Sequence, residues 1–140
     1  MRTGVVHWGF PPRGGGVEAH LITVLPEMVK QGSQVFVLTE TMEGQPEHSD
    51  VSGLNVFRRN ELSFSELDKM TDIYERARTV LETFIQQNGI EIIQAHNLHM
   101  DYFEFSRALT DVCREKNIPS YLVLHNHEFI DRDERPWFPF

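Results

Sequence analysis

Thr3-Gly4-Val5-Val6-His7, followed after Trp8-Gly9-Phe10-Pro11-Pro12-Arg13 by Gly14-Gly15-Gly16-Val17-Glu18-Ala19-His20-Leu21, is the stretch on which the reading of this chain turns. The first five residues are apolar or small without polar alternation, as in a strand covered on both faces. From Val17 onward the apolar positions Val17, Leu21, Val24, Leu25, Met28 and Val29 recur at helical spacing, and Gly32 supplies a stop. Pro26 lies inside this pattern, removes one backbone hydrogen bond and predicts a bend. The three glycines therefore stand at a strand-to-helix turn. There the free N–H groups and the helix dipole favour a phosphate or carboxylate, and glycine lets backbone approach closely.

Outward from this unit the same alternation repeats. Further strand-like runs fall at Gln34-Thr39, Leu54-Arg58, Glu91-Ala95 and Ser120-Leu124. A helical pattern spans Ser65 to Gln87, as one long helix or two shorter ones, and Asn88-Gly89 ends it. A third helix has the capping pair Asp101 and Glu104, an inward face of Phe105, Ala108, Leu109, Val112 and Cys113, and Asn117 and Pro119 at its close. Residues Glu40-Gly53 read as a polar loop, and Glu128-Phe140 carries charges, prolines and aromatics without a clear period.

Alternating strands and helices predict an α/β fold, a Rossmann-like three-layer αβα domain with a parallel sheet. The expected strand order is 3-2-1-4-5. In that order the chain reverses between strands 1 and 4, so a ligand belongs beyond the carboxyl ends of those strands. The segments leaving the central strands converge on that rim: His7-Trp8-Gly9 and the glycines, His96-Asn97, and His125-Asn126-His127-Glu128. Four of the seven histidines lie in these segments, with His99 close by.

Composition sets limits on function. The 140 residues suit one domain, with 21 acidic against 13 basic residues and a formal net charge of -8. That balance offers no electrostatic footprint for nucleic acid. No apolar run reaches the roughly 18 residues of a membrane span, and Met1-Arg2 leads into a strand rather than a signal peptide, so the expected location is the cytoplasm. The single cysteine, Cys113, reads as a small core residue.

Three site chemistries compete. Gly14-Gly15-Gly16-Val17-Glu18-Ala19 fits the dinucleotide pattern G-x-G-x-x-A, with Glu40 as the ribose acid, but the spacer from Trp8 to Arg13 parts the first glycine from the strand. His96, His125, His127 and Glu128 are metal-ligand types at a spacing that matches no metal signature, so no metal is assigned. A nucleophilic triad lacks a serine at a strand-to-helix elbow.

Gly4-Val5-Val6-His7-Trp8-Gly9-Phe10-Pro11-Pro12, Gly14-Gly15-Gly16-Val17-Glu18-Ala19-His20 and Gly32-Ser33-Gln34-Val35 together resemble the opening of retaining GT-B glycosyltransferases of family 4. Glu91-Ile92-Ile93-Gln94-Ala95-His96-Asn97 resembles that family's strand-4 segment, and Ile118-Pro119 through Leu124-His125-Asn126 its strand-5 segment. The resemblance covers most of residues 2 to 127 and is faint from Glu40 to Ile85. Ser33 and Gln94 stand where the family commonly has histidine, and Phe140 falls before the strands and helices that usually complete the family's N-terminal domain.

The resemblance implies that residues 1–140 are a single acceptor-side, N-terminal domain, with a second, donor-binding domain absent from this chain. It implies a nucleotide-sugar as co-substrate with no separate cofactor, and little or no activity for the isolated domain. Gly14, Gly15 and Gly16 are implied to receive the donor diphosphate, and His96 to contact the transferred sugar as the catalytic residue. Glu18, Asn97 and His125 are implied on the acceptor and sugar side, Glu18 also fixing the turn. The alternatives are a stand-alone module that binds a metabolite or a partner protein, and an NAD-binding oxidoreductase.

Overall fold

The structure is a computed structural model and describes residues 1–98 and 102–125. Among the described residues six strands form one sheet: β1 (Arg2–Val6), β2 (Gln34–Glu40), β3 (His48–Val51), β4 (Leu54–Arg59), β5 (Ile92–His96) and β6 (Ser120–Val123), in the order β3-β4-β2-β1-β5-β6. Five of them are parallel and lie in the order expected from the sequence. The sixth, β3, pairs antiparallel with β4 at the edge, His48 opposite Phe57 and Val51 opposite Leu54.

This hairpin corrects the reading of Glu40-Gly53 as a loop. Ser52 and Gly53 both take positive φ, 55° and 83°, the paired left-handed turn that closes a two-residue hairpin with the natural strand twist. The strand it creates is short and polar, and it ends the sheet without offering an apolar edge.

Residues of one strand alternate between two cores, because both sheet faces are covered. Val5, Val35, Val37 and Val56 pack with Leu21 and Leu25 of helix α1 (Gly16–Lys30). Val6, Phe36, Leu38 and Ile93 pack on the opposite face with Leu81 and Phe84 of helix α3 (Ile73–Asn88) and Phe105, Ala108 and Val112 of helix α4 (Phe103–Glu115). This two-sided burial explains the strands' apolar runs, and the layers make the domain Rossmann-like. Cys113 is buried in the second core.

Other expectations shift in detail. α1 runs unbroken through Pro26. The Ser65-Gln87 pattern resolves into a single turn, α2 (Phe64–Leu67), and α3, because Asp72 at φ 56° breaks the helical path. α4 starts after Tyr102 with no side-chain cap; Asp101 of the expected capping pair lies outside the described residues. β6 departs from the two-sided burial expected of it: Tyr121 is 49 % and Leu122 45 % exposed, because β6 borders only β5 among the described strands.

Candidate functional site at the carboxyl rim of the sheet

Residues 7–15 link β1 to α1 and are tied down along their length. Phe10 is fully buried under α1, Arg58 at the end of β4 donates from Nη2 to the Pro11 carbonyl at 2.8 Å, and Arg13 ion-pairs with Glu40 at the end of β2. Arg58 is itself buried, with Nη1 donating to the Glu40 carbonyl at 3.2 Å; burial lowers its pKa while Glu40 opposes the change. The guanidinium of Arg13 also lies over Trp8, 5.4 Å from the ring centre. The turn is thus a built feature, anchored to β2 and β4.

Gly15 caps α1, its carbonyl accepting from Ala19 N–H at 3.0 Å. The amides of Gly16, Val17 and Glu18 accordingly begin the helix with no intrahelical acceptor. The three glycines are not equivalent. Among the described residues a Cβ on Gly14 or Gly16 would meet nothing, whereas one on Gly15 would overlap the Glu18 carboxylate. The same carboxylate would overlap a Cβ on Gly9, so it sits between two backbone walls. Glu18 occupies the third helical position, from which a carboxylate reaches back over the cap.

Glu18 is buried behind the turn and meets His7, with Oε1 at 3.3 Å from Nε2. The other nitrogen of His7, Nδ1, lies 2.8 Å from the His96 carbonyl oxygen. Burial lowers the His7 pKa, opposed by the bond to His96 and the charge of Glu18. His96 ends β5, buried, with Nδ1 at 3.0 Å from His125 Nε2 and the two rings stacked. Its Nε2 is buried and has no hydrogen-bond partner among the described residues. Burial, then the neighbouring His125, His7 and His20, pushes the His96 pKa down to about 4. A neutral imidazole with a free nitrogen can orient a hydroxyl by hydrogen bonding, but at neutral pH it lacks the second, imidazolium proton that a general acid would give.

Asn97 takes a left-handed conformation, φ 48°, and turns the chain out of β5. Its Oδ1 accepts from His125 N–H at 3.4 Å, which aligns the segment after β6 with the rim. Gly14, Gly15, Gly16, Glu18, His96, Asn97 and His125 all lie at this end of the sheet, Glu18 behind the turn and the glycines at its exposed lip. His99, His127 and Glu128 lie outside the described residues.

Sequence reasoning does not assign His20 to the site, although its ring lies 5.5 Å from that of His125 and 6.4 Å from that of His96. Four residues after Gly16, it shares the face of the first helical turn, a spacing that could have found it. Glu40, the acid of the dinucleotide reading, is buried and already paired with Arg13. Among the described residues no three His, Cys, Asp or Glu side chains are grouped to hold a metal ion. Among them, too, no helix is long and apolar enough to cross a membrane.

Fold and rim together define a Rossmann-like α/β domain with a glycine-lipped helix start beside a histidine cluster. The chain belongs to Glycosyltransferase Family 4, whose family profile matches residues 14–140. Among solved structures it is similar to sucrose-phosphate synthase from Thermosynechococcus elongatus, with a TM-score of 0.67 and 11 % identity over 92 % of this chain. The chain spans 34 % of that protein's length. No curated protein matches the sequence.

Proposed function

We propose that this chain is the acceptor-side domain of a glycosyltransferase that moves a sugar from a nucleotide-sugar donor to an acceptor with retention, in the cytoplasm. A second α/β domain holds the nucleotide, and this domain completes the donor site from its glycine turn. The observation that carries the reading is the pairing of an anchored, open helix start at Gly14 and Gly16 with the buried Nε2 of His96, unpartnered among the described residues. Membership of the family and the likeness to a sucrose-phosphate synthase support it.

In this reading the amides at the start of α1 meet the donor diphosphate. Departure of the nucleoside diphosphate builds negative charge on its oxygens, and fixed N–H donors favour that charge without reorganising. His96 orients a hydroxyl of the transferred sugar, and His125, held by Asn97, lines the same side. Glu18 fixes the turn from behind. The residues that bind the nucleotide base belong to the second domain, so the isolated chain binds diphosphate weakly and does not turn over. Incubation of the purified chain with a panel of nucleotide-sugars and acceptors should give no transfer above background. Transfer at the rate of a complete enzyme would show that one domain suffices and sink this division of labour. Micromolar binding of NAD would instead favour the oxidoreductase alternative.

A further inference from the structure

His7 is fully buried and faces two hydrogen-bond acceptors, the His96 carbonyl oxygen at 2.8 Å and the Glu18 carboxylate at 3.3 Å. A neutral imidazole has one N–H. The shorter contact, to a carbonyl that can only accept, assigns that hydrogen to Nδ1. Nε2 then turns a lone pair toward a carboxylate oxygen, and the pair lacks the one proton that would satisfy both contacts. Glu18 is 4 % exposed and walled by Gly9 and Gly15, so solvent does not fill this gap.

We propose that His7 and Glu18 form a receptor for a single proton under the glycine turn, and that an anion bound at the turn draws that proton in. This rests on the anion-binding reading of the turn under Proposed function. The balance is simple: one proton passes from solvent to the pair, completing an N–H···O contact between His7 Nε2 and Glu18 Oε1, and no other bond changes. Before uptake, the carboxylate against Gly15 opposes a second negative charge at the same helix start. After uptake the pair is neutral overall, and the fixed amides of the turn face the anion without that opposition.

Among the described residues the titratable groups around His7 are few. Glu18 faces it from α1, His96 from β5 and His125 from the segment after β6, with His20 of α1 beyond, against His96 and His125. From β2, Glu40 is engaged by Arg13 of the turn. Uptake at the remaining histidines would also favour an anion, so the test must resolve His7 individually. His7 and Glu18 act here as positioning residues, through the turn and without touching the ligand.

The experiment is nuclear magnetic resonance of the full chain labelled with ¹⁵N-histidine, His7 assigned by its absence in His7→Gln, titrated from pH 8 to 4.5 with and without sulfate. Sulfate keeps its charge over this range, so any proton taken up belongs to the protein. With saturating sulfate the His7 midpoint should rise by about one pH unit. By reciprocity this equals about tenfold tighter sulfate binding by the protonated form.

In Glu18→Gln the side-chain amide donates to His7 Nε2 and satisfies both contacts without a proton, so His7 should stay neutral with and without sulfate. His20→Gln and His125→Gln should leave the His7 shift in place. Sulfate that perturbs the glycine amides while His7 does not move would overturn the proton coupling and leave the anion site standing. Sulfate that perturbs no glycine amide at any pH would overturn the anion site, and the coupling with it. If Glu18→Gln does not fold, the wild-type titration decides between these outcomes alone.

Discussion

Gly15→Ala should destabilise the chain by about 1–3 kcal/mol, and most of that cost should vanish in a Glu18→Ala background. The backbone at Gly15 is extended, φ 165°, which alanine adopts freely, so the penalty is not conformational. It comes from the side chain opposite: the new methyl would stand 3.0 Å from the Glu18 carboxyl carbon and overlap Oε2. An exposed glutamate would swing aside at little cost. This one is confined by Gly9 on its other side, where the corresponding methyl would stand 3.2 Å from the same carbon, and it touches His7. Moving it uncovers the buried His7 and opens the turn. Chemical denaturation of wild type, Gly15→Ala, Glu18→Ala and the double variant closes the cycle. An equal cost of Gly15→Ala in both backgrounds would mean that Glu18 is not what the glycine accommodates.

The second large effect is acid sensitivity centred on His96. Its folded-state value is pushed from 6.5 down to about 4, so the fold favours the neutral ring. The resulting stability is complete above pH 6.5 and is lost progressively as pH falls from 6.5 through 4. At about 1.4 kcal/mol per pH unit the loss approaches about 3 kcal/mol, and His7, also lowered by burial, adds to it in the same direction. His96→Gln should remove the larger part of the decline between pH 6.5 and 4 while costing some stability at pH 7. Denaturation midpoints for both proteins across this range provide the check. Parallel pH profiles for wild type and His96→Gln would show that His96 is not the group responsible.

The chain's architecture was legible because its central strands β1, β2 and β5 are largely apolar on both faces, so Val5-Val6, Val35-Phe36-Val37-Leu38 and Ile92-Ile93 needed no alternation to be recognised, and crossover rules then ordered them with the two outer parallel strands. The hairpin strand β3 was not legible, since His48-Ser49-Asp50-Val51 has neither an apolar face nor β-rich composition; only the Ser52-Gly53 turn marks it. The glycine turn and its rim partners His96, Asn97 and His125 followed from strand order.

What stayed hidden was which groups face each other. The sequence places Glu18 in the first turn of a helix, and nothing in it says that the carboxylate folds back between Gly9 and Gly15 onto His7. Nor does the pattern distinguish Gly15, where Glu18 leaves no room for a side chain, from Gly14 and Gly16, where no described residue stands in the way. Arg58 is the clearest case of a role set by tertiary structure alone. It closes a strand as a charged residue and is buried because the Pro11 and Glu40 carbonyls meet there.

Gly16→Ala separates binding from folding most directly, because its methyl meets no atom among the described residues yet stands at the exposed lip of the turn. The deciding measurement is a titration of wild type and Gly16→Ala with inorganic diphosphate at constant pH, tracking backbone amide shifts. A diphosphate site at the turn predicts saturable shifts at Gly14, Gly15 and Gly16 in the wild type, lost in a Gly16→Ala chain whose thermal stability is unchanged. Shifts confined to another part of the surface, or equal binding by both proteins, would contradict it.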